Sequence, residues 1–429
     1  MLDMLKAAGA NIVEFDEKAD IYIVNTCSVT NIADKKSRQM LHRARKMNPD
    51  GIVIAAGCYV QSAREILEQD EAIDIVISNN KKKSITEIVN DYINVRNNEK
   101  NAPGKDHEAM EYFVDISRET EYEEMGGHVP VGHTRAYVKI QDGCNQFCSY
   151  CIIPYVRGRI RSRSQEAILA EVSELAEAGI KEVVLTGIHI SSYGKDKNNE
   201  GALIELIEAI SKIKGIKRIR LGSLEPGIIT EEFVERISSN SKVCPHFHLS
   251  LQSGCDSVLK RMNRKYTCKQ YFEKCDMLRK AYKSPALTTD VIVGFPGETE
   301  EEFAETVRYL TELNLYEMHI FKYSPRKGTV AAAMKEQVAP EIKNERSDVL
   351  LKLAHDNKTA YEAQFEGCEL EVLVEEVVKK DNKTYLRGHT ERYMDILIDV
   401  GDISMPESFV NSFVYVTYTQ NGGNLPLLL

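Results

Sequence analysis

From Thr134 onward one pattern repeats for almost 200 residues: a short apolar run, then a longer stretch with helical spacing. The apolar runs are Tyr137–Ile140, Val183–Thr186, Ile219–Gly222, Phe247–Leu251, Thr288–Val293 and Met318–Tyr323. Helical spacing fills the intervals at Gln165–Ala178, Ala202–Ile213 and Glu301–Leu313. The last opens with Thr299 and, three residues on, Glu302, a pairing that satisfies the orphan amides of a helix start. Strands buried on both faces read as continuous apolar runs, and parallel neighbours need a helical crossover between them. Six such units predict a TIM-like but partial (β/α)6 barrel, with its site at the C-terminal ends of the strands.

The flanks follow other rules. Leu2–Ala8 reads as a helix, and Ile21–Val24, Gly51–Ala55 and Ile73–Ile77 as buried strands separated by helices at Ile32–Met47 and Ala63–Gln69. That alternation predicts an N-terminal parallel α/β domain over residues 1–100. Residues 101–132 are polar and carry Pro103-Gly104 and Gly126-Gly127, the signature of a linker, with one edge strand expected at Tyr112-Phe113-Val114. The barrel domain is expected over 133–365, closing with a helix at Pro340–Gln364. In 366–429 the period changes to strands at Glu369–Val378, Lys383–Leu386, Tyr393–Val400 and Phe413–Thr419, a small all-β barrel.

At 429 residues the chain is long enough for two or three domains. No apolar run approaches the roughly 20 residues that span a bilayer, and the N-terminus lacks the pattern of a signal peptide. The expected setting is therefore the cytoplasm, with no membrane partner. There, ten cysteines read as thiols, metal ligands or catalysts before disulfides. A net charge of −10 argues against a generally nucleic-acid-binding surface and leaves room for local basic faces. Two stand out: Lys35, Lys36, Arg38, Arg43, Arg45 and Lys46, and the alternation Arg157, Arg159, Arg161, Arg163. The first reads equally well as solvated helix charge.

Directly after the first barrel strand comes Asp142-Gly143-Cys144-Asn145-Gln146-Phe147-Cys148-Ser149-Tyr150-Cys151. Soft thiolates select zinc or iron–sulfur clusters. A structural zinc site wants four protein ligands, usually as paired Cys-x-x-Cys units, and here there is one triad with no nearby fourth Cys or His. Three thiolates on a cubane cluster leave one iron open for another ligand. Cys144, Cys148 and Cys151 are accordingly expected to hold a 4Fe–4S cluster; a zinc-stabilised RNA-binding module is the alternative.

The C-x3-C-x2-C spacing, with an aromatic before the last cysteine, resembles the radical S-adenosylmethionine (SAM) superfamily. There the open iron chelates the cofactor, and one electron from the cluster cleaves it to a radical that abstracts hydrogen from substrate. The likeness extends through Cys151-Ile152-Ile153-Pro154-Tyr155-Val156-Arg157-Gly158, Leu185-Thr186-Gly187-Ile188-His189, Arg220-Leu221-Gly222-Ser223-Leu224-Glu225-Pro226, His248-Leu249-Ser250-Leu251-Gln252-Ser253-Gly254 and Thr289-Asp290-Val291-Ile292-Val293-Gly294-Phe295-Pro296-Gly297-Glu298-Thr299. In that order these motifs resemble the methylthiotransferases, whose C-terminal β-module is a TRAM domain. The Thr-Gly-Ile-His stretch and Asn25-Thr26-Cys27-Ser28-Val29-Thr30 are most similar to the branch acting on tRNA N6-threonylcarbamoyladenosine. The resemblance implies addition of a methylthio group at C2 of that base, at position 37. Sister branches act on isopentenyladenosine-37 or on a ribosomal-protein aspartate; outside the class, an iron–sulfur electron-transfer protein is the competing reading.

The resemblance also implies a second, auxiliary 4Fe–4S cluster that carries the sulfur to be inserted. Cys27 and Cys58 each follow a buried strand and precede a helix, so both are expected at one edge of the N-terminal sheet. The family's third N-terminal cysteine, in a Gly-Cys-Lys-Val-Asn-like segment before the opening helix, is not in this sequence. One auxiliary ligand and one strand are therefore expected to be missing from the chain as given. Cys244, Cys255, Cys268, Cys275 and Cys368 read as ordinary thiols. By the same resemblance Tyr150 is expected near the adenine of SAM, with Glu225 and Gln252 pointing into the cofactor cleft and Gly294-Phe295-Pro296-Gly297 shaping the adenine pocket. Arg157–Arg163 is expected to meet tRNA phosphates or to order the cluster loop. The implied partners are tRNA, a reductant such as flavodoxin or ferredoxin, and a sulfur donor.

Overall fold

The computed structural model describes residues 1–28, 30–98, 112–126, 134–381, 383–401, 405–420 and 422–424. Val29, Pro103, Gly104 and Gly127 lie outside them, as does most of the expected linker. The chain forms two compact units. One comprises Met1–His128, Asp142–Arg161 and Ser324–Ala333; the other Val129–Gln141, Ser162–Tyr323 and Met334–Leu429.

In the first unit, strands β1 (Ile21–Thr26), β2 (Ile52–Gly57) and β3 (Ile75–Ile77) pair in parallel in that order. The central β2 is buried at every position, as a strand sandwiched between helices must be. Its side chains alternate between two cores. Ile52, Ile54 and Ala56 pack with Leu5, Ile85, Ile88 and Val89 on one face. Val53 and Ala55 pack with Leu41, Ala44, Tyr59 and Val60 on the other. Helix Asn31–Met47 is started by Thr30, whose Oγ1 accepts from the Ala33 amide at 3.2 Å. Helix Ile85–Asn98, which the sequence reading passed over, supplies the cover for the first of those faces. The expected edge strand Tyr112–Val114 is not one. The Ser78 amide donates to Tyr112 O, the Ser78 Oγ accepts from the Val114 amide, and the Gln61 side chain donates to Val114 O at 3.1 Å. Bonds to one backbone amide and two side chains anchor the segment without building a ladder.

The second unit contains β4 (Arg135–Asp142), with the two-residue β5 (Arg161–Ser162) at its edge, then β6 (Glu182–Gly187), β7 (Arg218–Leu221), β8 (His246–His248), β9 (Ala286–Val293) and β10 (Glu317–Lys322). Strands β4, β6 and β7 are parallel neighbours, as are β8, β9 and β10. Isolated parallel bridges Ile219↔Val243 and Leu224↔Leu249 carry the order across from β7 to β8. The six expected β/α units are thus in place, and their helix-facing side is one apolar core that includes Val138, Leu185, Ile219, Phe247, Leu287 and Leu310.

The unit ends in a small closed barrel: β11 (Glu369–Lys380), β12 (Lys383–Thr390), β13 (Asp395–Asp399), β14 (Phe413–Thr419) and β15 (Gly422–Asn424), in the order β11-β12-β13-β15-β14. Every pairing is antiparallel except β13 with β15. Closure removes the exposed edges that a small sheet would otherwise present. This barrel packs on the N-terminal ends of the larger sheet through a buried ionic network. Arg220, 3% exposed, donates to Glu182 at 2.8 Å and to the carbonyls of Thr390 and Glu391. Arg218 donates to Glu371 at 2.9 Å and to His389 O. Arg135 pairs with Glu375, and the Tyr393 ring lies under both Arg135 and Arg220. Burial raises the Glu182 pKa, but the three arginines outweigh it and hold the carboxyl below its ordinary value.

Candidate functional site

The cysteine loop leaves the C-terminal end of β4 through a turn that only glycine fits. Gly143 has φ +72°, and a Cβ there would stand 1.8 Å from the Arg159 carbonyl oxygen. Cys144 is then tied back, its amide donating to Gly158 O at 3.1 Å, while the Cys151 amide donates to Cys148 O at 2.9 Å. Ala331, far along the chain, donates its amide to Ser149 O. Cys144 is buried and Cys148 and Cys151 are partly so; none is in a disulfide. The Gln146 amide points at Cys144 Sγ from 3.4 Å, a contact that favours thiolate over thiol. Three thiols on one short, pinned loop fit a cluster with an open iron.

The other two cysteines of interest sit at the ends of paired strands. Thr26 and Gly57 are register partners on β1 and β2, so Cys27 and Cys58 follow side by side. Gly57 has φ +106°, and a Cβ there would meet Thr26 O at 2.4 Å, so its missing side chain sets how closely the two turns approach. Cys58 is buried; its Sγ accepts from Arg157 Nε at 3.0 Å and lies 3.8 Å from Asn79 Nδ2. Cys27 is exposed. Cys58 also packs against Ile152 and Val156, so both cysteine groups belong to the first compact unit.

Arg157 reaches Asp142 at 3.4 Å as well. Burial opposes its charge, yet Cys58, Asp142 and Cys27 hold its pKa above the ordinary value. Arg161 is buried beside Asp142, and Arg163 is buried in an ion pair with Glu171. Of the four alternating arginines only Arg159 is exposed, its guanidinium 4.6 Å from the Phe147 ring centre. Three of the four are thus turned inward or paired, with Arg157 held between Cys58 and Asp142 beside the cysteine loop. In the first basic cluster Arg45 is occupied with Asp74, Pro49 O and Gly51 O, while Lys35, Lys36, Arg38, Arg43 and Lys46 stay exposed.

In the second unit, Glu225 and Gln252 stand just past the C-terminal ends of β7 and β8. Glu225 accepts from Arg264 at 2.6 Å and faces His189 Nε2 at 3.4 Å, and its amide is linked to Ser191 Oγ. His189 is oriented in turn by Ser192 Oγ at Nδ1 and by Gln141 at its amide. Gln252 is buried with φ +77°, a conformation that costs a non-glycine residue about 1–3 kcal/mol and is kept where structure enforces it. Here the enforcement is two backbone bonds, from its amide to Asp290 O and from Ile292 to its carbonyl. Arg264 and His189 were not singled out from the sequence: His189 lay inside a quoted motif, and nothing local marked Arg264. Tyr150 sits in the cysteine loop. Gly294-Phe295-Pro296-Gly297 is a turn pinned by Glu298, which accepts from the Gly294 amide at 2.6 Å and from Arg346 at 2.7 Å. Phe295 is fully buried against Tyr323.

A six-strand β/α sheet whose first strand delivers three thiols on a short loop is a radical SAM fold. A model of the Radical SAM superfamily matches residues 138–310, and one described as "Uncharacterized protein family UPF0004" matches 1–78. The radical S-adenosylmethionine methyltransferase TsrM of Kitasatospora setae shares the fold, with a TM-score of 0.56 at 15% identity over 74% of this chain and 66% of that one. The threonylcarbamoyladenosine tRNA methylthiotransferase MtaB of Bacillus subtilis is 39% identical over 92% of this chain and 85% of its own length. The relative of the same name from Aquifex aeolicus is 37% identical over 90% and 92%. A tRNA-2-methylthio-N(6)-dimethylallyladenosine synthase of Thermoanaerobacter pseudethanolicus is 36% identical over 97% and 86%. The chain belongs to the radical SAM methylthiotransferase family, and its cofactors are 4Fe–4S iron–sulfur and S-adenosylmethionine.

Proposed function

We propose that this chain is a tRNA methylthiotransferase that adds a methylthio group to C2 of N6-threonylcarbamoyladenosine at position 37. The observation that carries the choice of base is the 39% identity, over 92% of the chain, to the Bacillus subtilis relative named for that substrate. Relatives named for the dimethylallyl base stand at 36% over 97%, which makes that base the second reading.

Cys144, Cys148 and Cys151 hold the first cluster, which supplies, when bound, the electron for reductive cleavage of SAM. The Gln146 amide stabilises the Cys144 thiolate, and Gly143 fixes the turn that presents it. Cys27 and Cys58 hold the auxiliary cluster, with Arg157 setting a positive charge against the Cys58 thiolate. Glu225, oriented by Arg264 and His189, accepts a hydrogen bond from the cofactor. Gln252 offers its amide, and Tyr150 packs on the adenine. A flavodoxin- or ferredoxin-like reductant and an external sulfur donor complete the reaction in the cytoplasm. No helix among the described residues is long and apolar enough to cross a membrane.

The test is expression in a bacterial host lacking this methylthio activity, followed by mass spectrometry of digested tRNA nucleosides. The 2-methylthio derivative of the threonylcarbamoyl nucleoside supports the proposal. The derivative of the dimethylallyl nucleoside transfers the chain to the second reading, and neither, from soluble cluster-loaded protein, overturns both.

A further inference from the structure

The sheet face turned away from the helices carries a further cluster of histidine and aspartate side chains. Strand register puts His248 beside Thr288 and His319 beside Asp290. Because side chains alternate with period two, His248, Thr288, Asp290 and His319 share one face of β8, β9 and β10. Their neighbours Phe247, Leu249, Leu287, Val291 and Met318 go to the helix-packed core on the other face.

One ligand atom from each of His248, Asp290 and His319 lies within 4.8 Å of the others, the one such group of three among the described residues. His248 Nδ1 is 3.0 Å from Thr288 Oγ1. With the ring proton on Nδ1 donated to that hydroxyl, the lone pair sits on Nε2 and points into the cluster. That is how a second ligand-shell hydrogen bond prepares an imidazole for a metal. Nε2 is buried and makes no hydrogen bond, although Asp290 Oδ2 is only 3.4 Å away. An imidazole nitrogen and a carboxylate oxygen that face each other without a hydrogen bond are both donors to a cation placed between them. Two donors each about 2.1 Å from one tetrahedral ion stand about 3.4 Å apart, the spacing found here. The His319 ring stacks beside that of His248 at 5.8 Å and is exposed. An anion would gain little from a group that already contains a carboxylate.

We infer that His248, Asp290 and His319 bind a divalent first-row transition metal, zinc being the natural choice for two imidazoles and a carboxylate. Three protein ligands leave at least one coordination position open, so the ion can take water or an oxygen donor from a bound molecule. The site is distinct from both cysteine groups in ligand chemistry and in sequence.

The test uses protein with its iron–sulfur clusters fully reconstituted, so that vacant thiolates do not compete. After treatment with a mild chelator it is dialysed against Zn²⁺, and zinc, iron and sulfide per chain are measured together. One zinc per chain beyond the clusters is expected. His248→Ala, Asp290→Asn and His319→Ala should each lose it, and Thr288→Val should weaken it about 10-fold or more. Because His319 is exposed, its variant keeps the fold, which unchanged circular dichroism and iron content verify. No zinc in the reconstituted wild type, or equal zinc in wild type and His319→Ala, overturns the inference. So does zinc that rises only as iron is lost. The measurement needs no tRNA, so its outcome is separate from that of the substrate assignment.

Discussion

The two ends of the six-stranded sheet use the same residue types for opposite purposes. At the N-terminal ends, Glu182 and Arg220 are 2% and 3% exposed and fully paired, and the small barrel supplies the remaining acceptors. At the C-terminal ends, Glu225 also meets an arginine, but with a histidine facing it and a strained glutamine just past the end of β8. The first arrangement joins two apolar-cored modules through charges that have no solvent to return to. The second keeps charged groups oriented while leaving them something to bind. A carboxylate–guanidinium pair is therefore no sign of function in itself; what surrounds it decides.

That contrast can be broken from either side. The largest expected effect is at the catalytic end: replacing Cys144, Cys148 or Cys151 by alanine should abolish the methylthio nucleoside and the cluster absorption while thermal stability changes little. Next comes the sealed end. Arg220→Ala strands a buried carboxylate and should cost about 3–5 kcal/mol of stability, read by chemical denaturation, with cofactor affinity of the folded protein unchanged. Glu225→Gln should do the reverse, raising the SAM concentration needed for half-maximal rate by about 10- to 100-fold, the worth of a charge-assisted hydrogen bond, with an unaltered melting temperature. The smallest effect is acid-dependent. Burial raises the Glu375 pKa, but His389 and Arg135 outweigh it and hold it at about 2. Its contribution is therefore complete above the unfolded value near 4.5 and disappears as pH falls toward 2. Glu375→Gln should lower Tm at pH 7 by about 2–4 °C for each kcal/mol lost, and should flatten the fall in Tm between pH 5 and 3.

The sequence made the parallel strands legible because burial on both faces forces continuous apolar runs, as in Ile52–Ala56 and Val183–Leu185. It made the first cysteine loop legible because ligand spacing is local. Helix Ile85–Asn98 was missed because its polar residues resemble the linker beyond it, although Ile85, Ile88, Val89, Tyr92 and Ile93 recur at helical spacing on the packed face. Tyr112–Val114 has strand-like composition, but Ser78 offers it no ladder. Arg157 read as one of four similar cations, and only the fold shows it turned toward Cys58. The His248–Asp290–His319 group was invisible because strand neighbours and register are not written in any one segment.

The first compact unit is assembled from three separated stretches, and the last, Ser324–Ala333, brings Arg326 to Ser28, Asn31 and Asp34 at the start of helix Asn31–Met47. During synthesis the ribosome delivers Cys27 and Cys58 first, the Cys144 loop next and Arg326 nearly 300 residues after Cys27. The unit that carries both cysteine groups is thus complete only when the sixth strand of the other unit has already emerged. A chain that stalls before Ser324 therefore lacks the arginine that ties Ser28, Asn31 and Asp34 together beside Cys27.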